Sequence, residues 1–145
     1  MTTNLKTKVK EIYIKAEKGK SAIPCENAIL LENQGVSGDI FCSGDSVRQV
    51  SILFEDTVKK LEALTEKGIC VRKFSCNIVF GGTFSDEIKP GGSFIIGKGV
   101  LTVKKLGKEC FRFCGNYTCP LVSEAIFASV AVGAQIKKGD DAFYA

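Results

Sequence analysis

Apolar residues in this chain come in runs of strand length, and glycines stand between the runs. Residues 77–80, 93–96 and 100–106 are separated by Gly81-Gly82, Gly91-Gly92, Gly97 and Gly99. A helix is not built on such a pattern, because an interior glycine costs it roughly 0.5–1 kcal/mol and the runs are shorter than an ordinary helix. The other apolar runs agree. In residues 8–16, Ile12, Ile14 and Ala16 share one face at period two, whereas Val9 falls on the opposite parity. Residues 28–31, 47–54, 135–137 and 142–144 are further strand candidates, with Gly139-Asp140 as a turn between the last two. Residues 34–39 read as a turn-rich loop.

One segment has the helical period instead. Phe54, Val58, Leu61 and Leu64 fall at i, i+4, i+7 and i+10. This predicts a helix between Phe54 and Lys67, opened near Asp56 and stopped by Gly68. Residues 121–130 are a candidate for a second short helix, with Pro120 near its first position. Many short strands with one or two short helices predict a mainly β fold, a closed or partly closed β-barrel. A length of 145 residues fits a single domain over residues 1–145, and 45% hydrophobic residues suffice for its core. Strands do not alternate regularly with helices, which argues against a doubly wound α/β sheet.

Composition narrows the chemistry. Histidine is absent, so the chain alone can build no Ser-His-Asp triad, no Cys-His dyad and no His-ligated zinc site. The first twenty residues contain no apolar core of signal-peptide length. The longest apolar stretch, residues 125–134, is interrupted by Ser129 and Gly133 and is far short of the roughly 20 residues of a spanning helix. The expectation is a soluble, cytoplasmic protein with no membrane partner. Net charge is +4, with lysines spread along the chain. No basic run is interleaved with aromatics, so nucleic acid is not an expected partner. An anionic small ligand or an acidic partner protein suits this charge equally well. Gly97-Lys98-Gly99 is not a nucleotide loop, because Thr102 stands in the third glycine place and no Walker A sequence occurs.

Sulfur is the remaining carrier of chemistry. There are seven cysteines, Cys25, Cys42, Cys70, Cys76, Cys110, Cys114 and Cys119. An odd number leaves at least one unpaired within the chain, and burial as a small hydrophobe is the ordinary fate of a cytosolic cysteine. The densest stretch is 107–120, Gly-Lys-Glu-Cys-Phe-Arg-Phe-Cys-Gly-Asn-Tyr-Thr-Cys-Pro. Its cysteines follow a C-x3-C-x4-C spacing, and Lys108 and Arg112 flank the first. A nearby cation favours the thiolate, which is both the nucleophile and the metal ligand. Cys110 is therefore the candidate working residue, with Cys114 and Cys119 as resolving or supporting thiols. Two other readings stand beside it. One is partly buried cysteines in an ordered loop. The other is a non-enzymatic cysteine-rich metal- or partner-binding module, for which this spacing differs from the paired C-x2-C ligands of common zinc sites.

The order of these elements resembles the MOSC domain, the domain named after the C-terminus of molybdenum cofactor sulfurase, in its short stand-alone bacterial form. The resemblance runs from about Val9 to Asp140. Gly35-Val36-Ser37-Gly38-Asp39 resembles the family's glycine–aspartate loop, and Arg48-Gln49-Val50-Ser51-Ile52-Leu53 its R-Q-V-S-L-L strand. Cys76-Asn77-Ile78 is similar to the E-N-I element, and Ile96-Gly97 leads into Leu101-Thr102-Val103 in the family manner. Gly107-Lys108-Glu109-Cys110 resembles the element that carries the signature cysteine. Glu124-Ala125-Ile126-Phe127-Ala128 and Lys138-Gly139-Asp140 resemble the closing elements. The chain departs from the family where a histidine usually follows the glycine–aspartate loop, here Phe41-Cys42, where one often follows the signature cysteine, here Phe111, and where Cys76 replaces the E-N-I glutamate.

The resemblance implies a strand-rich barrel with a pocket near Cys110. It implies sulfur carried there as a persulfide, or molybdenum cofactor (molybdopterin) bound through that cysteine, which would make Cys110 a molybdenum ligand. Arg48, Ser51, Asn77, Lys108 and Arg112 would line the cofactor site, the cations gripping its anionic groups. The implied partners are a cysteine desulfurase or molybdenum cofactor biosynthesis proteins. Neither the oligomeric state nor whether the chain catalyses a reaction alone is legible.

Overall fold

Val9 and Ile12 have opposite parity in the sequence, yet both are buried, and the first strand shows how. In the computed structural model, which describes residues 5–17, 21–42, 49–63, 76–107 and 124–145, β1 (Leu5–Ile14) pairs antiparallel with β6 (Ile78–Phe80). The register shifts between Val9 and Glu11, so that Val9 faces Phe80 and Ile12 faces Ile78. Lys10 is the extra residue of a β-bulge, which moves the inward phase by one residue. Before the bulge Val9 points into the barrel, and after it Ile12 does.

The strands that follow are β2 (Ile23–Cys25), β3 (Asn27–Leu31), β4 (Gly35–Val36), β5 (Val50–Phe54), β6, β7 (Ser93–Ile96), β8 (Gly99–Leu106), β9 (Ile126–Val132), β10 (Ala134–Lys137) and β11 (Asp141–Tyr144). The main sheet runs β11-β7-β8-β9-β5-β6-β1-β2, and a further β11–β1 pairing closes it. The result is a closed seven-stranded barrel, and among the described residues 53% are strand and there is one helix. β2 lies beside β1 where β11 has ended, Cys25 opposite Ile12 and Leu5 opposite Tyr144. Strands β10, β3 and β4 form a separate three-stranded sheet. The barrel interior is hydrocarbon. Val50, Ile52, Ile78, Phe80, Phe94, Ile96, Leu101, Val103, Ile126 and Ala128 are all 0–1% exposed, and the Phe80 and Phe94 rings lie 4.8 Å apart.

All five residues of β5 are buried. Its inward face supplies Val50, Ile52 and Phe54 to the interior. Its outward Leu53 joins Val79 of β6 and Phe127 of β9 in a second cluster, which Leu61 and Val58 of the helix cover. That helix, α1, is Glu55–Glu62. Glu55 and Asp56 in its first turn and Lys59 and Lys60 in its last complement the helix dipole. The helical period therefore marks a real helix, but Phe54 is not part of its stripe. Phe54 ends β5 and turns its ring inward, 5.8 Å from Phe80 and 6.2 Å from Phe84. Residues 64–67 of the predicted helix lie outside the described residues. β5 and β6 pair parallel, Ile52 opposite Ile78, which requires a crossover connection such as the one α1 begins.

The expected second helix over residues 121–130 is corrected. Residues 126–130 are strand β9, wedged between β8 and β5. Ile126, Ala128 and Val130 face the interior and Phe127 lies beneath α1. A strand buried on both faces loses its alternation, and a short continuous apolar run cannot be told from a buried helix by period alone. Strand β2 went unread because Pro24 lies inside it. Proline is tolerated where its missing N–H is not needed, as on a short peripheral strand. Among the described residues, no helix is long and apolar enough to cross a membrane.

Candidate functional site

Three of the segments that carry the family resemblance meet in space. They are the glycine–aspartate loop, the strand beginning Gln49-Val50-Ser51, and Cys76-Asn77 at the entry to β6. Because β5 and β6 run parallel, Ser51 and Asn77 stand at the same end of the two strands. The Asn77 side chain is the joint. Its carbonyl oxygen accepts from the Ser51 N–H at 3.0 Å and from the Ser51 hydroxyl at 3.3 Å. Its amide donates to the Tyr13 carbonyl at 3.2 Å and to Asp39 Oδ1 at 3.0 Å. The backbones repeat the connection, since Asn77 N–H donates to Ser51 O and Tyr13 N–H to Asn77 O, each at 2.8 Å.

Asp39 is the second hub. Besides Asn77, its Oδ1 accepts from Lys15 N–H at 2.9 Å and its Oδ2 from Phe41 N–H at 3.0 Å. Its own backbone closes the turn, with Cys42 N–H donating to Asp39 O at 3.0 Å. The carboxylate is 7% exposed and Asn77 4%. Burial of these groups is tolerable because hydrogen bonds replace those lost from water. The sequence pointed to Asp39 only through its loop. That it binds the end of β1 to the entry of β6 could not be read, since its partners are backbone groups and a residue 38 positions away.

Gly35 lets the loop close on this corner. It has φ +134°, and a Cβ there would sit 2.7 Å from the Gln49 carbonyl and 3.3 Å from Cys42 Cα. Glycine alone occupies that conformation without strain. The Gln49 side chain is also engaged, accepting from Val130 N–H at 2.9 Å. The flanks of residues 43–48 are thus both held against Gly35.

Two thiols border the corner, and neither is primed. Cys76 is buried and donates to the Ile78 carbonyl at 3.0 Å. Burial pushes its thiol up to about 12 from 9.0, against a small opposing effect of backbone hydrogen bonds. Cys42 is half-buried, and its pKa is raised by burial first and by the Asp39 carboxylate second. Cys25 is half-exposed on β2, its thiol directed at the Ile23 carbonyl at 3.4 Å. Among the described residues, no group of three or more cysteine or carboxylate side chains could hold a metal ion.

Of the expected site residues, Ser51 and Asn77 are brought together. Arg48, Lys108, Cys110, Arg112, Cys114 and Cys119 lie outside the described residues, as does Cys70. The expectation that Arg48 and Cys110 share a pocket with Asn77 therefore falls there too. Described residues flank residues 108–123 closely. Gly107 N–H donates to Ala125 O at 2.7 Å. Glu124 accepts from the Thr57 hydroxyl at 2.7 Å and pairs with Lys60 at 3.0 Å, which binds the start of β9 to α1. The shallow cleft beside this clasp is lined by Lys60, Thr83, Phe84, Ser85, Asp86 and Glu124. It lies at the other end of β5 and β6 from Asn77.

Whether Ser51 and Asn77 could hold a molybdenum cofactor directly is tested by their hydrogen bonding. A side-chain amide has two donors and two lone pairs, and all four of Asn77's are taken within the protein. The Ser51 N–H is likewise used. As direct contacts to a cofactor, Asn77 and the Ser51 backbone do not fit. As a frame for a site they do.

Known proteins of similar architecture complete the description. No family model matches the chain, and no curated protein matches it in sequence. Among solved structures, the YuaD protein from Bacillus subtilis superimposes with a TM-score of 0.78 at 13% identity, covering 99% of this chain and 98% of that one. YiiM from Escherichia coli gives 0.63 at 14% identity, covering 97% and 70%. YiiM from Geobacillus stearothermophilus gives 0.63 at 11% identity, covering 96% and 75%. At such identities the likeness is one of fold, and it supports a MOSC-like fold for this chain.

Proposed function

We propose that this chain is a cytosolic MOSC-type protein of molybdenum cofactor metabolism that carries sulfur on Cys110. One observation carries the reading. Asp39, Ser51 and Asn77, each from a different stretch of the family resemblance, converge in one buried hydrogen-bonded corner. Stretches that resembled the family separately are joined as parts of one frame, on a barrel of MOSC-like fold.

In this reading Asp39 and Asn77 are positioning residues. They hold the loop before residue 43 and the strand after residue 48 in fixed relation. Cys110 is the acceptor. Its thiolate attacks the terminal sulfur of a donor persulfide, such as one on a cysteine desulfurase. The new S–S bond forms on Cys110 as the donor's S–S bond breaks, and the donor thiolate leaves with the electron pair. Lys108 and Arg112 favour the attacking thiolate. Cys114 or Cys119 can then attack the Cys110 persulfide, releasing hydrosulfide and leaving an intramolecular disulfide. If molybdenum cofactor binds instead, Cys110 would be its ligand, and Arg48, Lys108 and Arg112 would meet its anionic groups. The bound group would then supply the metal chemistry.

The test is mass spectrometry of the reduced protein after exposure to a persulfide donor. One added sulfur atom on Cys110 is expected, absent from Cys110→Ala and retained in Cys114→Ala and Cys119→Ala. An adduct that ignores the Cys110 substitution overturns the reading. So does stoichiometric zinc in freshly purified protein, which would make the chain a metal-binding module.

A further inference from the structure

We propose that the outer face of β1, β11 and β7 docks an extended acidic protein segment that also presents apolar side chains. The strand period turns Lys6 and Lys8 outward together, and Lys10, the bulge residue, is exposed beside them with its side chain over Gly81. Alternate residues of a strand stand about 6.8 Å apart, so Lys6 and Lys8 form a ladder that matches carboxylates at alternate positions of an extended chain, and Lys10 adds a further cation at its end. Beside the ladder lie apolar side chains that a water-facing surface does not need. Phe143 is opposite Lys6 and Ile95 is opposite Phe143. Their exposures are 46% and 37%. The Lys6 ammonium lies 5.8 Å from the centre of the Phe143 ring.

Charge on the ladder is under-compensated. Lys8 approaches Asp141 at 3.9 Å with both groups well exposed, an arrangement of little energetic weight. Among the described residues, Lys6 and Lys10 have no carboxylate partner. Lysines often guard a sheet edge against unwanted pairing. That role is filled otherwise here, since β1 is hydrogen-bonded to β11 and β2 on one side and to β6 on the other. The ladder has a defined end as well, because beyond the bulge Glu11 pairs with Lys138 at 3.4 Å. A single-stranded nucleic acid would match the spacing of the cations but not Ile95, which offers no aromatic face for a base. An acidic peptide with apolar side chains meets both halves of the patch.

The probe is a fluorescent synthetic peptide alternating glutamate and leucine, titrated with the full chain and followed by anisotropy. Binding that weakens with salt is expected. Lys6→Glu/Lys10→Glu and Phe143→Ser/Ile95→Ser should each raise the Kd by about tenfold or more. Ile23→Ser, at an exposed apolar residue on β2, should leave it unchanged. If a charge-reversed protein fails to fold by circular dichroism, Lys6→Gln/Lys10→Gln replaces it. Failure of the wild-type chain to bind the peptide overturns the proposal, as does equal affinity in the variants. Binding of oligothymidylate or anionic phosphatidylglycerol vesicles through the same residues, without peptide binding, overturns it in favour of those partners.

Discussion

The barrel interior and the Asp39–Asn77 corner are both buried, but by opposite means. Inside the barrel, side chains such as Phe80, Ile52 and Ile126 meet only hydrocarbon, and each is stabilised by apolar area removed from water. At the corner, buried polar atoms are tolerated because each finds a partner. An apolar contact is non-directional and survives small changes of shape. A hydrogen-bonded corner survives changes of shape poorly and changes of polarity hardly at all. The difference teaches which region keeps the fold stable and which keeps one local geometry. The segments flanking residues 43–48 are held by the second kind.

The comparison can be broken first in the interior. Phe80→Ala should remove about 3–5 kcal/mol of stability, since Phe80 is fully buried between Phe54 and Phe94. Chemical denaturation measures this directly. A loss below about 1 kcal/mol would mean that the interior is loosely packed.

Next comes the corner. Asn77→Asp scarcely changes volume, but it replaces an amide donor to Asp39 with an oxygen. It should cost about 3 kcal/mol at neutral pH. The new carboxyl would have a raised folded-state pKa, so the deficit against wild type should shrink as pH falls toward about 4, where the proton is retained in both states. Ile126→Leu, an equally small change of volume in the interior, should cost less than about 1.5 kcal/mol. Similar costs for the two substitutions would erase the distinction.

Per pH unit, a smaller effect separates the regions. Cys76 holds its proton up to about 12 in the fold, against 9.0 in the open chain. Between those values the folded state binds more protons, so stability is complete below about pH 9 and declines as pH rises. The slope is at most about 1.4 kcal/mol per pH unit. Denaturant midpoints measured across this window should fall in wild type and stay flatter in Cys76→Ala. The smallest effect is expected at the helix clasp. Thr57→Val removes one hydrogen bond to Glu124 and should cost about 1 kcal/mol, seen as a modest drop in the thermal midpoint.

Legibility in the sequence followed the physics of each element. Strands such as β7 and β8 announced themselves as short apolar runs set between glycines. Strand β9 did not, because burial on both faces leaves no polar residues to mark the period. The β1 bulge showed only as an imperfection at Val9. Of the site, Ser51 and Asn77 were found through resemblance, but the roles expected of them were direct contacts, and Asn77's hydrogen bonds are spent within the frame. Asp39's part as a hub was invisible, because two of its three partners are backbone atoms that no side-chain pattern encodes and the third lies 38 positions away.

By itself, the sequence determined that this chain is mainly β with a helix after Phe54, and that, lacking histidine, it can build no His-based triad, dyad or zinc site of its own. Period and composition are local properties, and they survive in a linear reading. Closure of the barrel, the inward turn of Phe54 and the joining of Asp39 to Asn77 were decided by tertiary structure alone. Each depends on which residues distant in the chain become neighbours, and a hydrogen bond forms only between groups that the fold has already placed within about 3 Å of one another.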